Sequence, residues 1–213
     1  MRPKNFSKAR NLLMLGALSL LLGGLSACNN ATETEAGRSG KTVSTGTADL
    51  GGPFELIDQD GAVVTEANLL GKPHILYFGF TFCPDVCPTA LQKMGSAQEL
   101  LGPQGDDIGY VMVSIDPERD TPEILKQYIT ASVFPKGLRG YTGSVEQVET
   151  AKRAYKVFAT KASLDGSAGD YTVDHSDIIY FMDKDGKFVD YFNNRTTPKD
   201  IEVRARYHLR TGK

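Results

Sequence analysis

Two thiols separated by three residues are the most reactive groups in this chain. The segment Phe80-Thr81-Phe82-Cys83-Pro84-Asp85-Val86-Cys87-Pro88 carries two of the three cysteines. Thiolates are soft donors that select Cu(I) or Zn(II) over hard cations, and a close pair can also cycle between dithiol and disulfide. Pro88 lacks an amide hydrogen and fits the first position of a helix. Cys87 is then the expected N-cap, with its sulfur beside free amides and the positive end of the helix dipole. Such a place lowers a thiol pKa and favours the thiolate. A proline after each cysteine argues against a plain structural bridge. Three intervening residues, where a dithiol redox motif usually has two, leave metal binding and redox chemistry both open.

The elements that must position these thiols are legible on either side. His74-Ile75-Leu76-Tyr77-Phe78-Gly79-Phe80 is nearly continuously apolar, as in a strand buried on both faces, and residues 88–101 read as a helix. The cysteines thus sit at the carboxyl end of a central strand, where sites form in open α/β sheets. Upstream, Phe54-Glu55-Leu56-Ile57 and Ala62-Val63-Val64 flank a turn and read as a hairpin. Residues 108–115 predict a further strand. Thr121-Pro122 opens a helix whose apolar stripe runs to Val133, and Ser144 with Gln147 forms a capping box for a helix reaching Phe158. Ile178–Met182 and Lys187–Phe192 flank Asp183-Lys184-Asp185-Gly186, a second hairpin. Thr197-Pro198 opens a last helix. The expected fold class is α/β: a mixed sheet flanked by helices on both faces, with an N-terminal β-hairpin, over residues 49–213.

The beginning of the chain reads differently. Arg2, Lys4, Lys8 and Arg10 precede an apolar run over residues 12–22 that is too short to span a bilayer comfortably. Together they form an export signal over residues 1–27. Leu25-Ser26-Ala27-Cys28 resembles the bacterial lipobox, in which Cys28 becomes an acylated first residue; more than one acyl chain gives stable anchoring. Residues 28–48 are small, polar and aperiodic, a flexible linker with a reach of roughly 25 Å. Loss of residues 1–27 removes four of the 24 basic side chains and none of the 26 acidic ones, leaving a net charge of −6. That balance disfavours a nucleic-acid partner and leaves membrane attachment to the lipid. The expected location is the periplasmic side of a bacterial membrane, an oxidising compartment in which two lone thiols form a disulfide, a metal site or a redox couple.

Five blocks resemble, in order, the motifs of the Sco/SenC family: Gly71-Lys72-Pro73, Tyr77-Phe78-Gly79-Phe80-Thr81, Cys83-Pro84-Asp85-Val86-Cys87-Pro88, Asp116-Pro117-Glu118-Arg119-Asp120-Thr121-Pro122 and Val173-Asp174-His175-Ser176. The resemblance implies a thioredoxin-like fold and one copper ion per chain, as Cu(I), Cu(II) or both. It further implies delivery of copper to the CuA centre of cytochrome c oxidase, or maintenance of that centre in a reduced state. The partners implied are the oxidase subunit that carries CuA, other copper chaperones and thiol reductants.

A copper site with two cysteines wants a third ligand, and neutral imidazole suits it. Of His74, His175 and His208, the family match and fold analogy favour His175, expected in a polar loop before residues 178–182, with Asp174 orienting the ring. His74 begins the buried strand, roughly 20 Å from the cysteines, and His208 is expected to serve the end of the last helix. Asp85, Asp116 and Asp120 either shape the field of the site and dock a partner, or serve as local caps and ion pairs. A thiol–disulfide oxidoreductase that keeps partner cysteines reduced needs the cysteine pair but no histidine, and a copper or redox sensor needs no turnover. A peroxiredoxin-like enzyme would need Thr where Phe80 stands.

Overall fold

The computed structural model describes residues 48–164 and 171–212. The expected signal segment, Cys28 and the linker up to residue 47 lie outside the described residues.

The N-terminal hairpin pairs β1 (Glu55–Asp58) with β2 (Val63–Thr65). Its turn is held by Asp58, whose carboxylate accepts from the amides of Asp60 and Ala62, both at 2.9 Å. The remaining strands are β3 (His74–Gly79), β4 (Gly109–Ser114), β5 (Arg139–Thr142), β6 (Ala159–Ser163), β7 (Tyr171–His175), β8 (Ile179–Met182) and β9 (Phe188–Phe192). The helices are α1 (Val86–Leu101), α2 (Pro122–Tyr128), α3 (Val145–Ala154) and α4 (Pro198–Thr211). Seven strands form one mixed sheet in the order β2-β1-β5-β4-β3-β8-β9, in which only β3, β4 and β5 run parallel. All six residues of β3 are buried, which is why its sequence is apolar throughout.

Alternation along β3 places helices on both faces. Gly79 faces the first turn of α1, where a Cβ on it would lie 3.0 Å from the Cys87 sulfur. Phe78 points the other way, its ring centroid 5.4 Å from that of Tyr155 at the end of α3. Helix α4 packs beside α1. The local signals for helix starts are realised: Thr121 accepts from the Ile124 amide at 3.4 Å, and Ser144 with Gln147 and Thr197 with Asp200 form capping boxes.

Three expectations need correction. Helix α2 ends at Tyr128, before Val133, which is exposed; the chain there turns across α1, so close that a Cβ on Gly95 would meet the Val133 carbonyl oxygen at 2.4 Å. Helix α3 ends at Ala154 because Lys156 takes a φ of 53°, and Phe158 beyond it is exposed. The third is an addition. Strands β6 and β7 form a separate two-stranded sheet, and His175 is the last residue of β7, where a loop was expected.

Candidate metal centre

Helix α1 begins at Val86 with Asp85 as its N-cap. Cys87 therefore lies inside the first turn, two positions further into the helix than Pro88 had suggested. The shift exchanges the roles of the thiols. The amide of Cys87 points at the Cys83 sulfur, 3.4 Å away, so the helix N-terminus serves Cys83. The Cys87 side chain turns inward, fully buried against Gly79 and Tyr77.

His175 arrives from the far end of the chain sequence. Its Nε2 lies 3.4 Å from the Cys87 sulfur, and its Nδ1 lies 3.0 Å from the Ser176 carbonyl oxygen. A carbonyl only accepts, so Nδ1 carries the hydrogen and Nε2 presents a bare lone pair toward the sulfurs. The orienting group is thus the Ser176 carbonyl; Asp174, expected in that role, is exposed on the neighbouring position of the strand. The rings of Tyr77 and Phe80 stand edge-on to the imidazole at 6.1 and 6.0 Å. The Tyr77 hydroxyl donates to Asp177 at 3.2 Å.

The three ligand atoms, Cys83 Sγ, Cys87 Sγ and His175 Nε2, lie within 4.8 Å of one another. A thiophilic ion with bonds of about 2.0–2.3 Å needs its donors about 3.5–4 Å apart. The set therefore fits one such ion after a contraction of under about 1 Å, which side-chain rotation supplies.

The pair of sulfurs shares its protons unequally. Cys87, donating to Cys83, pulls the Cys83 pKa down from 9.0 to about 4, against the opposing effect of burial; His175 and the amides of Asp85 and Cys87 add to the stabilisation. The same contact, together with burial, pushes Cys87 well above the ordinary thiol range. The resting site is one thiolate, at Cys83, beside one thiol. A thiophilic cation held by both sulfurs would replace the remaining proton of Cys87.

The aspartates divide. Asp85 is exposed at the rim. Asp116 and Asp120 are completely buried, which removes them as docking groups. Asp120 accepts from the Thr81 amide at 3.1 Å, the Thr81 hydroxyl at 2.6 Å and the Ser114 hydroxyl at 2.6 Å. It fastens the start of the cysteine loop to the end of β4, and Thr121 alone is the helix cap. Burial raises the pKa of Asp120. Asp116 pairs with Arg119 and accepts from the Tyr171 hydroxyl at 2.6 Å.

The other two histidines stand apart. His74 is buried at the opposite end of β3, beside Gly109 and Met182 in register, and burial lowers its pKa to about 4. His208 lies in the last turn of α4, where it also stacks on Phe181 at 5.2 Å and meets Asp190 at 3.2 Å. Sequence reasoning passed over Tyr77, Asp177 and Tyr171, and gave Arg119 only the local ion pair that it makes with Asp116. Tyr77 was within reach, since it precedes Gly79 by one period of the strand and shares its face.

A mixed sheet with a dithiol where a central strand gives way to a helix defines a thioredoxin-like protein, here with a histidine brought to the same sulfurs. The family model described as SCO1/SenC matches residues 42–209, and the chain belongs to that family. The SCO2-like protein of Rickettsia prowazekii is 40% identical over 152 residues, covering 71% of this chain and 73% of that protein. Bradyrhizobium japonicum ScoI, solved with copper bound, is similar at 41% identity and a TM-score of 0.68, covering 75% of this chain and 99% of that one. BsSco, a member of the Sco family of cytochrome c oxidase assembly proteins in which a disulfide switch has been identified, is similar at 26% identity and a TM-score of 0.59, covering 75% and 94%.

Proposed function

We propose that this chain is a copper metallochaperone that binds one copper ion through Cys83, Cys87 and His175 and delivers it to, or matures, the CuA centre of cytochrome c oxidase. The observation that carries the reading is the convergence of two sulfurs and one imidazole nitrogen within 4.8 Å, from residues 88 positions apart in the chain. Two thiolates and a neutral imidazole suit copper, and the copper-bound ScoI relative supports the choice of metal. Cu(I) in this set carries a net charge of −1, tolerable at a partly open rim. Phe82 and Val86, which flank the cysteines, are 57% and 43% exposed. They offer a recipient an apolar surface next to the ligands, where transfer proceeds by exchange of one thiolate at a time. We place the domain on the periplasmic side of a bacterial membrane, tethered through acylated Cys28 and the linker to residue 48.

The asymmetry of the thiols favours a second reading beside the first, a thiol–disulfide reductant for the cysteines of a partner. Cys83 is the ionised and more accessible sulfur, hence the attacking one; Cys87 is the buried thiol that resolves the mixed disulfide. In that cycle the pair gives two electrons and the Cys87 proton to the partner disulfide, whose other sulfur leaves as a thiolate and takes its proton from water. One set of measurements separates the readings: copper stoichiometry and disulfide exchange for the wild type, Cys83→Ser, Cys87→Ser and His175→Ala. The chaperone reading expects His175→Ala to lose tight copper binding and keep exchange. Copper bound equally well without His175, with exchange abolished, overturns it.

A further inference from the structure

The hairpin that carries His175 is not part of the main sheet. Among the described residues strands β6 and β7 pair only with each other, so the hairpin joins the main sheet just after His175, where Asp177 accepts from the Tyr77 hydroxyl and β8 pairs with β3, and has no ladder to that sheet along its own length. A separate cluster fastens the far end of the hairpin. The Arg119 guanidinium lies over the Tyr171 ring at 3.8 Å and also faces Phe82 at 5.0 Å and Phe80 at 5.8 Å. Its Nη1 donates to the Tyr171 carbonyl oxygen at 2.9 Å, and its Nε pairs with Asp116. The Tyr171 hydroxyl returns to Asp116 at 2.6 Å. Lys161 of β6 bridges to Glu118 at 2.7 Å and lies over the same Tyr171 ring at 4.5 Å.

We propose that Arg119 is a positioning residue of the metal site, clamping the His175 hairpin to the loop that carries Cys83 and Cys87. One planar cation touches both partners: Phe80 and Phe82 immediately before Cys83, and Tyr171 four residues before His175 on one strand. Arginine suits the place because its flat guanidinium stacks on rings while its edge donates in plane, which a lysine cannot do. Tyr171 and His175 are about 13 Å apart along the strand. A tilt of about 5° at the clamp therefore moves the imidazole by about 1 Å, enough to pull Nε2 out of a metal's reach. The cluster continues inward through Asp116, Ser114 and Asp120 to Thr81, so the clamp rests on the strand ends that hold the cysteines.

The inference rests on the copper-site reading, and its test keeps the two apart. Hydrogen exchange of the metal-free protein needs no copper: Arg119→Ala is expected to speed exchange at 159–163 and 171–175 by at least about tenfold while β3 and β4 stay protected. Cu(I) competition titration should then show an affinity loss of about tenfold for Arg119→Ala, an intermediate loss for Arg119→Lys, and a weakened nitrogen-ligand signal in X-ray absorption. In a His175→Ala background Arg119→Ala should cost nothing further, because the clamp acts through that imidazole. Wild-type exchange in the hairpin, or an equal affinity loss with and without His175, overturns the proposal. A wild type that binds no copper overturns the functional reading and leaves the exchange comparison to judge the clamp. If Arg119→Ala does not fold, Tyr171→Phe, which removes only the hydroxyl bound to Asp116, is read by the same measurements.

Discussion

Gly79→Ala is the sharpest single test of how the fold builds the site. A Cβ at position 79 would lie 2.7 Å from Cε1 of Tyr77 and 3.0 Å from the Cys87 sulfur, against an ordinary contact of about 3.5–4.0 Å. Neither neighbour can easily retreat. Tyr77 is fully buried with its hydroxyl bound to Asp177, and Cys87 is held in the first turn of α1. Overpacking of this kind costs about 1–3 kcal/mol, and each kcal/mol lowers the melting temperature of a domain this size by about 2–4 °C. The expected fall in Tm is about 2–12 °C. Because the displaced atom is a ligand, Cu(I) affinity should also fall, by about tenfold for each 1.4 kcal/mol of lost interaction. Gly109→Ala, at the opposite end of the β3–β4 pair, is the control. Its Cβ would lie 3.3 Å from the His74 Cβ, a squeeze worth under about 1 kcal/mol, remote from the thiols. Thermal melts and Cu(I) competition on both variants settle the point. If Gly79→Ala melts and binds copper like the wild type, or if Gly109→Ala weakens copper as strongly, the packing argument is refuted.

Four further outcomes follow from the thiols and the buried histidine. In the metal-free protein, Cys83, with a pKa lowered to about 4, should alkylate with iodoacetamide at a nearly constant rate from pH 6 to 8, while Cys87 stays unmodified until unfolding; mass mapping of the two sites would falsify this if Cys87 reacts first. Since the unfolded thiol titrates near 9.0 and folded Cys83 near 4, the unfolded chain binds the extra proton between them, so the Cys83 contribution to stability grows from pH 4 to 9; above 9, folded Cys87 retains a proton that the unfolded chain has lost, and the trend reverses. Urea midpoints across pH 4–10 should show that maximum in the wild type and lose it in a Cys83→Ser, Cys87→Ser double variant. His74 titrates at about 4 when folded against 6.5 when unfolded, so its burial costs stability as pH falls from 6.5 to 4, and His74→Leu should flatten the acid limb of the same curve. Finally, a disulfide between Cys83 and Cys87 consumes both thiolates, so oxidation should expel copper. Copper retained by a fully disulfide-bonded sample contradicts the three-ligand site.

The aspartates show why residue type alone misleads about role. Asp85, Asp116, Asp120 and Asp174 look equivalent in the sequence, four acids near cysteine or histidine motifs. The fold buries two of them completely and leaves two in water. Asp120 ties the cysteine loop to β4, Asp116 holds the Arg119–Tyr171 cluster, and the exposed pair touches neither function. Burial is decided by which side of a loop faces the sheet, and no local pattern records that.

What the sequence determined by itself was local. The caps at Thr121, Ser144 and Thr197, the turns at Asp58 and Asp183, the uniformly apolar β3 and the cysteine pair at its end all depend on contacts within a few residues, so their spacing spells them out. The β6–β7 hairpin escaped because Val173 is its only buried residue and the rest are exposed or partly buried, so no continuous buried face imposes a period on its residues. Only the tertiary structure decided which thiol is the thiolate, since a helix start moved by two positions handed the N-terminal amides to Cys83 and turned Cys87 toward Gly79. It alone brought His175 to sulfurs 88 positions earlier, through β8 lying antiparallel beside β3 and an arginine holding the hairpin ahead of it. A spacing of three intervening residues can announce a pair of ligands; the third depends on the packing of the whole sheet.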